Sequence, residues 1–403
     1  MSKINRRRFL HSAFAAGAFG LAGGRWARAH AAALPQAGLQ APYDHYVFVP
    51  NRNSADVAII DTDRDVVIAR VPVGNVPHQV AVSDVLGKLI ATNIEDNTVS
   101  IIDLASLRTE ATLPLGHEPE HMELSPRGTL AAVGNIGEGT VSLVRLDEKR
   151  EVRRITGLFE PHNMTFSPDG RFIYVGNLGA NFISVIDVAR GAVIDEIGVG
   201  ENVALAALPG SEEEHQGIIN VTRTPDGRLG FAAYGDGDAM AVIDLRTRRT
   251  LKTLRLGRLP WRAYSTADGR FMIIPNNGDG SVSIVSTRSP FKEVARLKGA
   301  ADMTGVNTGW FETVAFVISR GADRLVILDL LKMENAGIIG LGKGATPETG
   351  VVTPDGKKLY VALSGLDQVA LIDTRTRRLI KRISGVGSEP WGAHMVGALN
   401  YCH

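Results

Sequence analysis

Residues 161–187 read PHNMTFSPDGRFIYVGNLGANFISVID, and this run decides the fold. Val, Ile, Phe and Tyr favour extended backbone and supply three short strands. Ser167-Pro168-Asp169-Gly170 is a tight turn between the first two, its proline presetting φ and its glycine free to take positive φ. Asn177 to Asn181 is the next turn, and GAVIDEIGVG, ending at Gly200, is a fourth strand. A four-stranded sheet this small has two apolar faces and cannot bury both by itself. The unit requires neighbours of its own kind.

The chain supplies them. The third strand recurs as VAIID (57–61), VSIID (99–103), MAVID (240–244), LVILD (325–329) and VALID (369–373), with weaker copies at 141–147 and 282–286. The first turn recurs at Ser125-Pro126-Arg127-Gly128, Thr224-Pro225-Asp226-Gly227, Thr266-Ala267-Asp268-Gly269 and Thr353-Pro354-Asp355-Gly356. A spacing of about 42–44 residues is that of a four-stranded propeller blade. The expectation is an all-β chain folded as a single β-propeller, with about eight blades on this period. The count falls to seven if the unit around Met303 to Asp329 is irregular, because its first strand, DMTGVNTGW, lacks both the proline and the Pro-Asp-Gly turn. One interval is longer, which marks an insertion at about 201–216.

The ends predict how the ring closes. YVFVPNRN (46–53) corresponds to a second strand, not a first, whereas Glu389-Pro390-Trp391-Gly392-Ala393-His394-Met395-Val396 corresponds to a first strand with little after it. The last strand is therefore expected to complete the first blade, a clasp that leaves no open sheet edge.

Residues 1–33 read differently. Asn5-Arg6-Arg7-Arg8-Phe9-Leu10 precedes the Ala/Gly-rich AFAAGAFGLAGG and small-residue cleavage candidates at Ala27-Arg28-Ala29 and Ala29-His30-Ala31. This is the pattern of a twin-arginine export signal, its apolar run too short for a membrane span. A short linker (34–44) and the propeller (45–403) follow. Cleavage, a periplasmic location and the twin-arginine translocon as export partner are the expectations. That route carries folded proteins, so a cofactor loaded before export and rapid folding are equally good reasons for it.

Composition excludes several classes. Of 403 residues, 22% are charged and the formal net charge is +1, so there is no electrostatic footprint for nucleic acid. The one cysteine, Cys402, can form no internal disulfide, and Cys-x-x-Cys-His, zinc-type Cys/His spacing, phosphate loops and Gly-x-Ser-x-Gly are all absent. No catalytic motif is visible. A monomer that is not an integral membrane protein is expected.

The repeat xPxxxxxSPDGxxxYVxNxxxNxVSVID resembles the YVTN family of β-propeller repeats over essentially all of 45–396. Relatives within that resemblance are the eight-bladed haem d1 domains, the d1 haem biosynthesis factors and the YncE-like periplasmic propellers. The resemblance implies a fold more than a function, since one blade type carries many jobs.

Chemistry, on this architecture, belongs where blade loops converge on the channel mouth. Aligning units on the proline before the first strand places His78, Glu120, His162, Trp261, Glu348 and Trp391 in equivalent positions. One residue on come Gln79, His121, Asn163, Arg262, Thr349 and Gly392. Consecutive blades thus bring His78, His121 and His162 to one side, with Glu118, Glu120 and Glu160 beside them. Such a set is able to bind Cu, Zn or Fe, or to ligate a haem axially. His121 is a candidate ligand in this set, although it is offset by one residue from His78 and His162 and strict strand alternation would turn it away from them. An anionic substrate would instead use Arg258 and Arg262, with Trp261 or Trp391 as stacking platforms and Glu348 nearby. The plainer account is that rim histidines hydrogen-bond backbone at strand starts.

His394, in the closing strand, reads as a satisfied core residue. Cys402-His403 reads as a tail on the opposite face, and Glu212-Glu213-Glu214-His215 as a solvated loop on the mouth side. Three functions follow: a binding scaffold for a small ligand, metal or periplasmic protein partner at the mouth; a haem d1-related oxidoreductase or biosynthesis factor; and a metal-assisted lyase or lactonase.

Overall fold

The computed structural model describes residues 38–199 and 216–397. The export-signal pattern, the first four residues of the linker (34–37), residues 201–215 of the insertion with Glu212 to His215, and Cys402-His403 lie outside them. Among the described residues there is one three-stranded sheet and there are seven four-stranded sheets, each an antiparallel meander in chain order. Eight apolar clusters join the sheets, each spanning two neighbours in the ring, including one between the last sheet and the first. An open row of eight sheets would have seven such seams, so the ring is closed. This is an eight-bladed propeller. No described helix is long and apolar enough to cross a membrane.

The recurring residues do structural work. Strand-three aspartates cap the following turn: the carboxylate of Asp61 accepts the backbone N–H of Asp63 and Arg64, and that of Asp187 the N–H of Arg190. In the Pro-Asp-Gly turns, Ser167 Oγ donates to Asp169, as Thr224 does to Asp226 and Thr353 to Asp355. The asparagine ending the second strand locks the next turn. Asn93, Asn135 and Asn276 each donate to two hydroxyls, five and seven residues on. These pairings satisfy buried polar groups that would otherwise cost stability.

The unit around Met303 is regular despite its missing motifs. Its strands are Met303–Gly309, Val314–Ser319, Arg324–Asp329 and Glu334–Gly340. In place of the Pro-Asp-Gly turn, Trp310, Phe311 and Glu312 all take positive φ. Blades 5 and 6 depart more: their innermost strands shrink to Thr222–Arg223 and Tyr264–Ser265.

The closing segment is held as the sequence predicts, by isolated bridges rather than a continuous ladder. Phe48 pairs with His394 and Asn51 with Pro390. Phe48 and His394 exchange two backbone hydrogen bonds at 2.8 and 3.0 Å, and Trp391 N–H donates to the Pro50 carbonyl at 2.9 Å. The Asn51 amide reaches across to the Val386 carbonyl at 2.7 Å.

Candidate functional site

Three innermost strands build one side of the channel mouth: Pro77–Ser83, Pro119–Leu124 and Pro161–Phe166. Each opens with the same irregularity. Pairing skips from Pro77 to Val80, from Pro119 to Met122 and from Pro161 to Met164. The two residues after each proline therefore bulge out of the ladder. A bulge suspends the alternation that would send adjacent side chains to opposite faces. Glu120 and His121, neighbours in sequence, consequently both reach the same point, and the one-residue offset of His121 does not separate it from the set.

The result is a compact donor cluster. One ligand atom each from His78, Glu120 and His121 lies within 4.8 Å of the others. His78 Nε2 is 3.5 Å from a Glu120 carboxylate oxygen and His121 Nε2 is 3.8 Å from the same oxygen. His162 approaches from blade 4, its Nε2 3.0 Å from that of His121, while its Nδ1 faces the Asn163 amide at 3.0 Å. All four residues are buried. Burial pushes the Glu120 carboxyl up to about 7; Arg52 pulls it back, and Glu118 and Glu160 raise it further. Glu118 and Glu160 immediately precede the prolines, both with positive φ.

The opposite side is built from arginines and carboxylates. Glu348 follows Pro347 in blade 8, where pairing skips again, to Gly350. It accepts hydrogen bonds from Arg320 at 3.3 Å and from the Ser364 hydroxyl at 3.0 Å. Arg320 also bonds Asp302. Arg52 lies over the Trp391 ring, 4.0 Å from its centroid. Trp391 in turn stands 5.8 Å from the His78 ring, joining the two sides. The Arg52 Nε is buried without a hydrogen-bond acceptor. Burial lowers the pKa of this guanidinium against the pull of Glu389, Glu120 and Glu348.

Other residues singled out in the sequence fall elsewhere. Trp261 is half-buried at the start of blade 6, its backbone N–H donating to the Pro275 carbonyl. Arg262 lines the central channel, its guanidinium 5.2 Å from the Tyr264 ring centroid. Arg258 is exposed, its backbone N–H bonded to Asp279, and it lines no part of that channel. His394 is buried in the channel wall, where desolvation lowers its pKa to about 3 and keeps it neutral.

Arg52 and Arg320 escaped the proline alignment because they belong to the turn between strands two and three. Aligning that turn instead sets Arg52, Ile94, Ile136, Leu178, Gly235, Asn277, Arg320 and Ser364 in register. The two charged members would have marked themselves.

The cluster suits a metal ion. Tetrahedral bonds of roughly 2.0–2.1 Å place donor atoms about 3.3 Å apart. The His78–Glu120 and His121–Glu120 separations of 3.5 and 3.8 Å lie near that spacing, and His162 stands 3.0 Å from His121. Two imidazoles and one carboxylate match sites that hold zinc or non-haem iron with a coordination position left open. Without a metal, the Nε2 atoms of His121 and His162 share one hydrogen bond whose direction is set by their tautomers.

Comparison with known proteins places the chain by fold. A family model described as a YNCE-like beta-propeller matches residues 81–400. No curated protein sequence matches. Among solved structures, the dihydro-heme d1 dehydrogenase NirN, in complex with DHE, is 18% identical with a TM-score of 0.70, covering 89% of this chain and 77% of that one. Hydrazine synthase of Kuenenia stuttgartiensis is 22% identical with a TM-score of 0.56, covering 74% and 95%. A protein of unknown function from Desulfotomaculum acetoxidans DSM 771 is 13% identical with a TM-score of 0.58, covering 87% and 99%. At these identities the likeness is one of fold.

Proposed function

This chain belongs to the YNCE-like β-propeller family, and from that premise we propose that it is a binding scaffold whose channel mouth holds a transition-metal ion. His78, Glu120 and His121 supply the donors and His162 stands ready beside them. The observation that carries the reading is the trio of bulges that bring buried imidazoles and a carboxylate from consecutive blades to one point. A buried carboxylate is costly to keep charged without a cation. A divalent ion at this point would offset that cost, and imidazole and carboxylate donors suit Zn(II), Fe(II) or Cu(II). With three protein donors the ion would keep a coordination position open for an exogenous ligand.

Export in the folded state is part of the same proposal, supported by Asn5-Arg6-Arg7-Arg8-Phe9-Leu10. A protein exported already folded can receive its metal before translocation. The solved neighbour that carries DHE supports a second reading, a tetrapyrrole at the mouth with one of these histidines as its axial ligand.

The test is a cobalt(II) titration of chelator-treated protein, followed by its visible absorption and by elemental analysis. One ion per chain is expected, and His121→Ala and Glu120→Gln should each weaken binding about 100-fold. His45→Ala, at an exposed histidine, should leave it unchanged. Equal binding by wild type and His121→Ala would sink the metal reading. A haem-type band in protein from a producing cell would replace it with the second.

A further inference from the structure

Blades 7 and 1 carry an arginine at the same point of the same turn. The Arg320 backbone N–H donates to the Asp302 carbonyl at 2.9 Å, and that of Arg52 to the Glu389 carbonyl at 3.0 Å. Asp302 and Glu389 are both acidic and both take positive φ. The backbone and the upstream acid thus repeat from one blade to the other. The side chains do not.

Arg320 grips two carboxylates. Its Nε and one terminal nitrogen hold Asp302 at 2.7 and 3.2 Å, and the other terminal nitrogen reaches Glu348, in the next blade, at 3.3 Å. Arg52 makes neither contact. Among the described residues its side chain has no ion pair and no hydrogen-bond acceptor, and its Nε is buried. The guanidinium lies instead 4.0 Å from the Trp391 ring centroid.

Two exchanges of residue account for the difference. Where blade 7 has Thr304, blade 1 has Trp391, and an indole face attracts a guanidinium as a threonine cannot. Where blade 8 has Glu348 after its proline, blade 2 has His78. The carboxylate that Arg320 finds in its next blade therefore has no counterpart for Arg52. Trp391 stands 5.8 Å from the His78 ring, so the guanidinium stacked on it is held in the neighbourhood of that position. We infer that Arg52 anchors a ligand site at the channel mouth, and that its ligand is a small monovalent carboxylate taking, beside His78, the place that Glu348 takes for Arg320.

The chemistry sets the class of ligand. A guanidinium presents N–H donors in a planar fork that matches the two oxygens of a carboxylate. A buried charged donor without an acceptor is costly, and a bound carboxylate offsets that cost. Glu389, Glu120 and Glu348 already act on Arg52 at longer range. A second negative charge on the ligand would be repelled by them, which favours a monovalent carboxylate over a phosphate dianion.

Arg52 is no part of the donor cluster, and His78 enters only as a landmark, so the site does not depend on the metal reading. The test is calorimetric titration of the full-length protein with acetate, in chelator-treated and in cobalt-loaded form. Acetamide serves as the neutral isostere and inorganic phosphate as the divalent comparator. One acetate per chain is expected, with acetamide not binding and phosphate binding more weakly. Arg52→Gln should weaken acetate about tenfold or more, as loss of a charge-assisted pair does. Arg52→Lys keeps the charge without the fork and should recover only part of that loss. A chain that takes up no cobalt would end the metal reading, while the chelator-treated titration would still decide this one. Acetate binding that Arg52→Gln leaves intact would overturn the site. So would equal binding of acetamide, preference for phosphate, or no acetate binding in either form at high millimolar concentration.

Discussion

Glu348 is 1% exposed, beneath Arg320 and beside Ser364. Burial raises its carboxyl from the ordinary 4.5 to about 7, although the Arg320 guanidinium and the Ser364 hydroxyl both oppose the shift. The folded chain therefore keeps a proton that the unfolded chain releases between those values. Stability falls as pH rises through that window, by up to about 3 kcal/mol, and the loss levels off above it. Glu348→Gln removes the titrating group. Its melting temperature should decline less than that of wild type between about pH 5 and pH 8 in the metal-free protein. Equal declines would assign the pH dependence to other groups.

A β-strand ending in asparagine is the element on which the repeat depends. In blade 6, Asn276 donates to Ser281 and Ser283 at 2.9 and 2.8 Å. Asn276→Ala should cost about 1–3 kcal/mol, the price of stranding buried hydroxyls, while cobalt titration stays as in wild type. Calorimetry and the titration check both halves. The asparagine was legible in the sequence as a repeated letter, and its role follows from the hydroxyls five and seven residues on. The bulges were not legible. Glu120 and His121 are adjacent letters, and alternation assigns them to opposite faces. Only the pairing of Pro119 with Asn135 and of Met122 with Val133 shows that both leave the ladder.

At the scale of the whole molecule, closure depends on residues 386–395. They complete blade 1 and contribute Val386, Ala393 and Met395 to the cluster between the last blade and the first. A chain ending at Ser384 would expose the inner edge of blade 1 and remove three of the twelve buried side chains of that seam. It should melt earlier and with a broader transition than wild type; an equally sharp transition would mean that the clasp is dispensable. Export belongs to this scale too. Replacing Arg6 and Arg7 by lysine should leave uncleaved chain in the cytoplasm, as fractionation and mass spectrometry would show. Unchanged delivery would remove the twin-arginine route.

The sequence by itself determined the blade, the period, the all-β class and the manner of closure. Those properties depend on local turn chemistry and on alternation repeated many times, so each copy reinforces the others. The same letters also indicated the rim histidines, by their place after a recurring proline. Only the tertiary structure decided that blade 7 is regular and that His121 shares a point with Glu120. It also placed Arg52 over Trp391. Each of these depends on bulges or on turns from different strands. These are properties of how blades meet around an axis, and no local stretch encodes them.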